Sequence, residues 1–211
     1  MPPAKCSRWR RWLRAGLLPL LLLLPAAVQG ARAAAAPDTI ASPARLADAA
    51  SPVLGNPRGR DIIVEFFDYR CPYCRRMQAT FDRLLAQDSE ARLVLKEWPV
   101  FGGVSVYAAR VALASRWQGR FAAVHEGLFK ASGPLDRAAV RRIARDAGVD
   151  LPRLDRDLHA RRAELDGMLR QVAAQAAALG FQGTPGLVIG RHPISGALSL
   201  ADLRNLLASA R

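Results

Sequence analysis

The chain has 211 residues, 51% of them hydrophobic, and carries 31 Lys and Arg against 18 Asp and Glu for a formal net charge of +13. A basic balance admits nucleic acid or a membrane surface as a partner, but arginines such as Arg137, Arg141, Arg142, Arg145, Arg153 and Arg156 lie along helical faces interleaved with Asp and Glu, so they read as solvated surface and nucleic acid is set aside. Only three cysteines occur, which excludes a disulfide framework and leaves a core held by packing.

The chain opens with an export signal. Lys5, Arg8, Arg10, Arg11 and Arg14 form a basic head, followed over residues 15–28 by an apolar stretch broken at Pro19 and Pro25. A membrane-spanning helix needs roughly 20 consecutive apolar residues, so this stretch reads as the core of a cleavable signal peptide, residues 1–33, rather than as an anchor. Ala31-Arg32-Ala33 supplies a small-x-small cleavage site, and Arg10-Arg11-Trp12-Leu13 faintly suggests a twin-arginine signal. No cysteine follows the apolar core for lipid attachment, since Cys6 precedes it, and no later run is long enough to span a membrane. The expectation is a periplasmic protein of a Gram-negative host. Residues 1–33 hold six basic and no acidic side chains, so the remainder carries a net +7. That remainder is about 178 residues, one domain with enough chain for a substantial core.

Residues 34–60 are rich in Ala, Pro, Ser and Gly and read as a flexible lead-in, closed by a turn at Asn56-Pro57-Arg58-Gly59. Residues 61–67 are nearly all apolar, as expected of a strand buried on both faces. A helix is predicted from about 72 to 87, with Met77, Phe81, Leu84 and Leu85 as its buried stripe, and a second strand over 92–97 ends at Trp98-Pro99. Five helical segments then follow over 104–179: Val104 to Trp117, Phe121 to Lys130, Asp136 to Ala147, Leu151 to His159 and Arg162 to Leu179, punctuated by Gly119, Gly133-Pro134, Gly148 and Gly180. Strands are predicted at 186–189 and 192–195, and Ser199 with Asp202 caps a last helix running to about 209. This order describes an α/β sandwich interrupted by an all-helical block.

Two thiols lie three residues apart in Cys71-Pro72-Tyr73-Cys74, between the first strand and the helix after it. A helix start favours a thiolate through its unpaired N–H groups and the positive end of its dipole, Pro72 suits the first turn because its missing N–H leaves no bond unmade, and Arg70 adds positive charge. Thiolate attack on a disulfide sulfur is the step of thiol–disulfide exchange, so Cys71 is read as the outer, nucleophilic thiol and Cys74, one turn further in, as the buried resolving thiol of higher pKa. A purely structural bridge would close too small a loop to constrain much, and a zinc site would need ligands that His125, His159 and His192 do not offer in suitable spacing. Met77 would complete a Cys-x-x-Cys-x-x-Met set of soft copper(I) ligands, against which core packing is favoured. Thr184-Pro185 precedes the strand at 186, where a proline that cannot donate a ladder hydrogen bond belongs, and its peptide bond can be cis. His125 is placed on an ordinary helix face, Trp98 and Phe101 are read as packing residues near the site, and Lys96 and Glu97 are left unassigned.

The runs VEFFDYRCPYC (64–74), KEWPVFGG (96–103) and GTPGLVIG (183–190), with the long helical insertion, resemble the thioredoxin superfamily and, within it, the DsbA-like thiol–disulfide oxidoreductases. The likeness extends over residues 51–209 and is strongest to the exported Com1- and ScsC-like branch. It implies a thioredoxin-like fold, a central mixed β-sheet flanked by helices, built in two parts: 61–103 with the Cys-Pro-Tyr-Cys motif and 180–211 with the cis-proline loop, separated by the helical insertion 104–179. It also implies that Cys71 is the nucleophile and Cys74 the resolving cysteine, that Pro185 is a cis-proline beside the disulfide, and that Thr184 helps to bind the substrate backbone as an added strand. Glu65 matches a buried acidic residue used in proton transfer around the inner thiol. The implied activity is that of a dithiol oxidase that introduces disulfides into unfolded or misfolded exported proteins and is reoxidised by a membrane redox partner, with no cofactor beyond the Cys71–Cys74 disulfide and no metal. Tyr73 stands where the best-known oxidase has a cationic His, which points to a milder oxidant, and Thr184 is of the type found in the family's isomerases. Isomerases carry an N-terminal oligomerisation module for which residues 34–60 are short, so the oxidase and a monomer are favoured over an isomerase or reductase kept reduced by a partner.

Overall fold

The computed structural model describes residues 42–211. The signal peptide expected over residues 1–33 lies outside them. The elements run α1 (Pro43–Leu46), β1 (Val53–Gly55), β2 (Asp61–Phe67), α2 (Pro72–Gln87), β3 (Ala91–Glu97), α3 (Gly103–Ser115) with a 3-10 turn at Arg116–Gln118, α4 (Phe121–Lys130), α5 (Arg137–Asp146), α6 (Leu151–Ala160), α7 (Arg162–Ala178), β4 (Gly186–Ile189), β5 (His192–Ser195) and α8 (Leu200–Ala210).

The strands form one mixed sheet in the order β1-β3-β2-β4-β5. The parallel pair β2–β3 is joined through α2, as a parallel connection requires, and pairs Val64 with Val94 and Glu65 with Leu95. β4 runs antiparallel to β2, with Glu65 opposite Leu187, and β5 returns beside β4 through a turn in which Gly190 has φ 60°. Successive side chains of a strand alternate between faces. Ile63, Phe67, Leu93, Leu95, Leu187 and Ile189 therefore pack on one side against Met77, Phe81 and Leu84 of α2, Leu203 and Leu207 of α8, and the helical block. Val64, Phe66, Val94 and Val188 face the other side, against Leu46, Val172, Ala176 and Phe181. Each large apolar side chain buried in this way contributes roughly 1.5–3 kcal/mol. This is why the interior of β2 reads as an almost unbroken apolar run, and why the carboxylate within it, Glu65, stands out.

The helices begin where their sequences place a cap. Asp136 accepts from Ala139 N–H at 2.7 Å, Asp150 from Arg153 N–H at 3.0 Å, and Ser199 with Asp202 forms a reciprocal capping box. Such caps are worth about 1 kcal/mol each.

The lead-in 34–60 departs from expectation over its described part. Rather than a flexible segment it supplies a helical turn whose Leu46 is buried, and then β1, which pairs antiparallel with β3 so that Val53 lies opposite Val94. Three residues suffice for an edge strand when the partner is already in place, and Pro52 and Gly55 bracket it. The Pro52 carbonyl accepts from Leu95 N–H at 2.9 Å. Gly55 has φ 78°, and a Cβ there would meet the Ala91 carbonyl oxygen at 2.6 Å. The segment is pinned again by Asp48, whose Oδ2 accepts from the buried Lys96 Nζ at 2.9 Å. Burial outweighs this contact and leaves the Lys96 pKa below that of an ordinary lysine.

Candidate functional site

Cys71 is the N-cap of α2. Its extended backbone (φ −75°, ψ 119°) turns the chain from β2 into the helix, and Pro72 occupies the first turn. The turn is closed by Cys71 N–H donating to Asp68 O at 3.0 Å. The Cys71 thiol donates at 3.2 Å to the carbonyl oxygen of Thr184, and the Thr184–Pro185 peptide bond is cis. Two segments 113 residues apart in sequence thus meet at one sulfur. Cys71 is 2% exposed and Cys74 is fully enclosed; both are free thiols in this structure. Burial, reinforced by Glu65, pushes the Cys74 thiol far above the ordinary range.

Glu65 lies at the centre of β2 with no solvent exposure, and neither carboxyl oxygen has a hydrogen-bond partner among the described residues. Burial, and secondarily Cys71, raises its pKa well above 4.5. Ionising an unpaired carboxyl in such surroundings costs several kcal/mol, so Glu65 holds its proton near neutral pH. The five residues singled out from the sequence, Cys71, Cys74, Thr184, Pro185 and Glu65, are therefore gathered at the start of α2. The contact at Thr184 O, the cis bond at Pro185 and the mutual electrostatic influence of Glu65, Cys71 and Cys74 link them.

Several residues not singled out belong to the same region. The Asp68 carboxylate accepts from Arg70 N–H at 2.8 Å and Ser105 Oγ–H at 2.7 Å through Oδ1, and from Phe101 N–H at 3.1 Å through Oδ2. It fastens the turn before Cys71 to the loop 98–102.

His125 does not lie on an ordinary helix face. It is fully buried in α4, with Phe67, Tyr69, Phe121 and Phe129 around its ring. Its position between Phe121 and Phe129, four residues from each, was the available signal: it shares their buried stripe. The ring completes a buried chain. Gln78 Nε2 donates to Asp82 at 2.9 Å, which orients Gln78 Oε1 toward His125 Nε2 at 3.0 Å. Tyr69 Oη lies 3.0 Å from both His125 Nδ1 and Glu97 Oε1.

Proton counting decides the state of this chain. Burial depresses the His125 pKa to about 3, so the ring is neutral near pH 7. Gln78 Oε1 requires a proton on Nε2, which leaves Nδ1 as an acceptor for the Tyr69 hydroxyl. A phenol has one proton, so the contact with Glu97 is made by a protonated carboxyl. Burial, the largest influence on Glu97, raises its pKa well above 4.5 in agreement. The chain ties α2, α4, β3 and the Cys71 turn together with four neutral groups.

Trp98 is partly buried, but Phe101 is not the packing residue expected: it is 52% exposed, beside Val100 at 40%. Its backbone is held by Asp68 while its ring faces solvent. Met77 is buried, and its sulfur accepts from Leu198 N–H at 3.3 Å, so it packs between α2 and the start of α8. Among the described residues no group of three or more His, Cys, Asp or Glu is arranged to hold a metal ion, and no helix is long and apolar enough to cross a membrane.

A sequence model of the DSBA-like thioredoxin domain matches residues 62–208. A thioredoxin-like oxidoreductase from Silicibacter pomeroyi DSS-3 is 43% identical and superposes with a TM-score of 0.75 over 78% of this chain and 94% of its own. The catalytic domain of Proteus mirabilis ScsC is 25% identical, with a TM-score of 0.67 over 77% of this chain and 90% of its own. The Na(+)/H(+) antiporter NhaA 1 of Mycolicibacterium gilvum (strain PYR-GCK) is 27% identical over 162 residues, 75% of this chain and 26% of the antiporter. The chain thus spans about a quarter of the length of the curated relatives it matches.

Proposed function

The chain belongs to the DSBA-like thioredoxin family and is a thiol–disulfide oxidoreductase, and from that premise we propose that it is an exported dithiol oxidase, donating a Cys71–Cys74 disulfide to cysteine-bearing polypeptides in the periplasm. The observation that carries this reading is the meeting of the α2 N-cap sulfur with the Thr184 carbonyl of the proline loop, with Cys74 and protonated Glu65 enclosed behind it.

The cycle follows from that arrangement. A client thiolate attacks Cys71 Sγ, a client–Cys71 mixed disulfide forms, and the Cys71–Cys74 bond breaks with its electron pair on Cys74. The high pKa of Cys74 makes its thiolate a strong base in this enclosure, and the Glu65 carboxyl is the proton source within the site. The client's second thiolate then attacks the client sulfur of the mixed disulfide, and Cys71 departs as a thiolate at the helix N-terminus, where unpaired N–H groups and the dipole favour an anion. Two client thiols have become a disulfide, and the protein is left as a dithiol to be reoxidised by a membrane partner. Thr184 and Pro185 present the backbone edge along which an extended client segment lies.

Two assays test the assignment together. Redox titration against glutathione and transfer to a reduced dithiol peptide should show a pair that oxidises the peptide stoichiometrically. Cys71→Ala should abolish transfer, and Cys74→Ser should accumulate the client–Cys71 mixed disulfide when supplied with an oxidised client. A protein that reshuffles scrambled disulfides efficiently, and whose pair is held reduced in intact cells, would instead be an isomerase or reductase, the reading that Thr184 favours.

A further inference from the structure

The entrance to the site has a chemical character that thiol exchange itself does not require. Among the described residues the large hydrophobic side chains left most open to solvent are Tyr73, Val100 and Phe101, at 54%, 40% and 52%. All three lie in the two segments that the Asp68 carboxylate holds together, since one of its oxygens takes the Arg70 N–H and the other the Phe101 N–H. The backbones of these two segments are thus tied together beside the turn that carries Cys71, and we refer to their exposed side chains as its rim.

Cations border that rim. Arg70, Arg75 and Arg76 are exposed, and none has a carboxylate within ion-pair distance among the described residues. Arg76 lies over the face of the Tyr73 ring, its guanidinium carbon 4.3 Å from the centroid. Arg75 reaches across to the Ala131 carbonyl at the end of α4. Other arginines, among them Arg110, Arg141 and Arg153, are paired with Asp166, Asp155 and Asp157. Among the described residues the nearby acids form no ion pair with these three arginines. Asp68 is buried and occupied by three donors, Glu65 is enclosed, Asp82 takes Gln78, and Glu126 pairs with Lys130. Positive charge and exposed aromatic surface therefore face outward together at the reactive sulfur.

We propose that this rim selects client segments that carry carboxylates beside their cysteine, with an apolar or aromatic residue to lie against Tyr73 and Phe101. The proposal rests on the oxidase reading above and adds the class of client. A carboxylate next to the attacking sulfur is drawn toward Arg70 and Arg76 in the encounter and in the mixed disulfide, so both the rate of approach and the orientation gain. The attraction acts across water and falls off beyond about 8 Å at physiological ionic strength, so only charges within a few residues of the client cysteine count.

The test uses the oxidised full-length protein and three dithiol peptides identical except for the residues flanking each cysteine, which are Glu, Gln or Lys. Rates of peptide oxidation are expressed per thiolate, because flanking charge also moves the peptide's own thiol pKa. At low salt the Glu peptide should react about tenfold faster than the Lys peptide, with Gln between, and 0.5 M NaCl should narrow the spread to about twofold. The double reversal Arg70→Glu and Arg76→Glu should invert the order. Because the readout is a ratio between peptides on one protein, any change in the reactivity of Cys71 itself cancels. Equal rates at low salt, a Lys preference, or an order that survives the double reversal would overturn the proposal while leaving the oxidase reading intact if the Gln peptide is oxidised. Failure to oxidise any of the three peptides would overturn both.

Discussion

Glu97 shows how far a single buried proton can be traced. Its partner Tyr69 has one proton to give and His125 Nδ1 accepts it, so the carboxyl at the end of β3 is the other donor. A carboxamide donates equally well at that point. Glu97→Gln should therefore unfold within about 1 kcal/mol of the parent near pH 5, whereas Tyr69→Phe, which strips His125 Nδ1 and Glu97 of their common partner, should cost about 1–3 kcal/mol in denaturant unfolding. The pH profile gives the sign. A carboxyl whose folded pKa is raised contributes stability that is complete below its unfolded value near 4.5 and is lost as pH climbs toward the folded value. The parent should lose stability upward from about pH 4.5, and Glu97→Gln should show a shallower decline, since Glu65 continues to supply part of it. An equal slope in the two proteins would mean that Glu97 is ionised when folded. None of this was legible in the sequence. Glu65 stood out because it interrupts an apolar strand six residues before Cys71, whereas Glu97 closes its strand and could as well have faced solvent. His125 resembled any polar residue on a helix until its neighbours Phe121 and Phe129 were seen to share its side.

Elements with strong patterns were read correctly for physical reasons. β2 carries an apolar run interrupted only by Glu65 after its opening Asp61, and α2 a stripe at helical spacing with a proline where a first turn tolerates it; both occupy the residues expected, 61–67 and 72–87. The hairpin β4–β5 and the five insertion helices follow the same logic, since glycines and Asp or Ser caps mark their ends. β1 was missed because a three-residue edge strand has no period of its own; only β3 beside it defines it. Its dependence on glycine is measurable. Gly55→Ala places a side chain at φ 78° and against the Ala91 carbonyl, and should destabilise the protein by about 2 kcal/mol in thermal or denaturant unfolding. A neutral result would show that the edge strand yields without consequence to the sheet.

At the scale of the whole molecule, the sheet separates two cores, and charged side chains stitch the chain across them. Lys96 points away from the thiol side and is enclosed except for its contact with Asp48, which is itself partly open to water. The asymmetry makes the two halves of the pair unequal. Asp48→Ala leaves an ammonium buried without a partner and should cost about 3 kcal/mol, while Lys96→Met fills the same space with an apolar chain and should cost less than half of that. Comparable losses from both would indicate that water already reaches Lys96. The assembly also shows why the exchange site was the most legible part of the chain: its chemistry demands particular residues, Cys71, Cys74 and Pro185, at fixed places in strand–helix and loop–strand junctions. The rim around it follows no such demand. Phe101 was read as a packing residue near the site, whereas its backbone is tethered to Asp68 and its side chain is 52% exposed.

That tether has a mechanical consequence. One carboxylate grips the backbone on both banks of the entrance, at Arg70 and at Phe101, and a serine hydroxyl steadies it from α3. The two banks cannot part without breaking a bond to Asp68, so a polypeptide leaning on the outer bank pulls on the turn that carries the nucleophile.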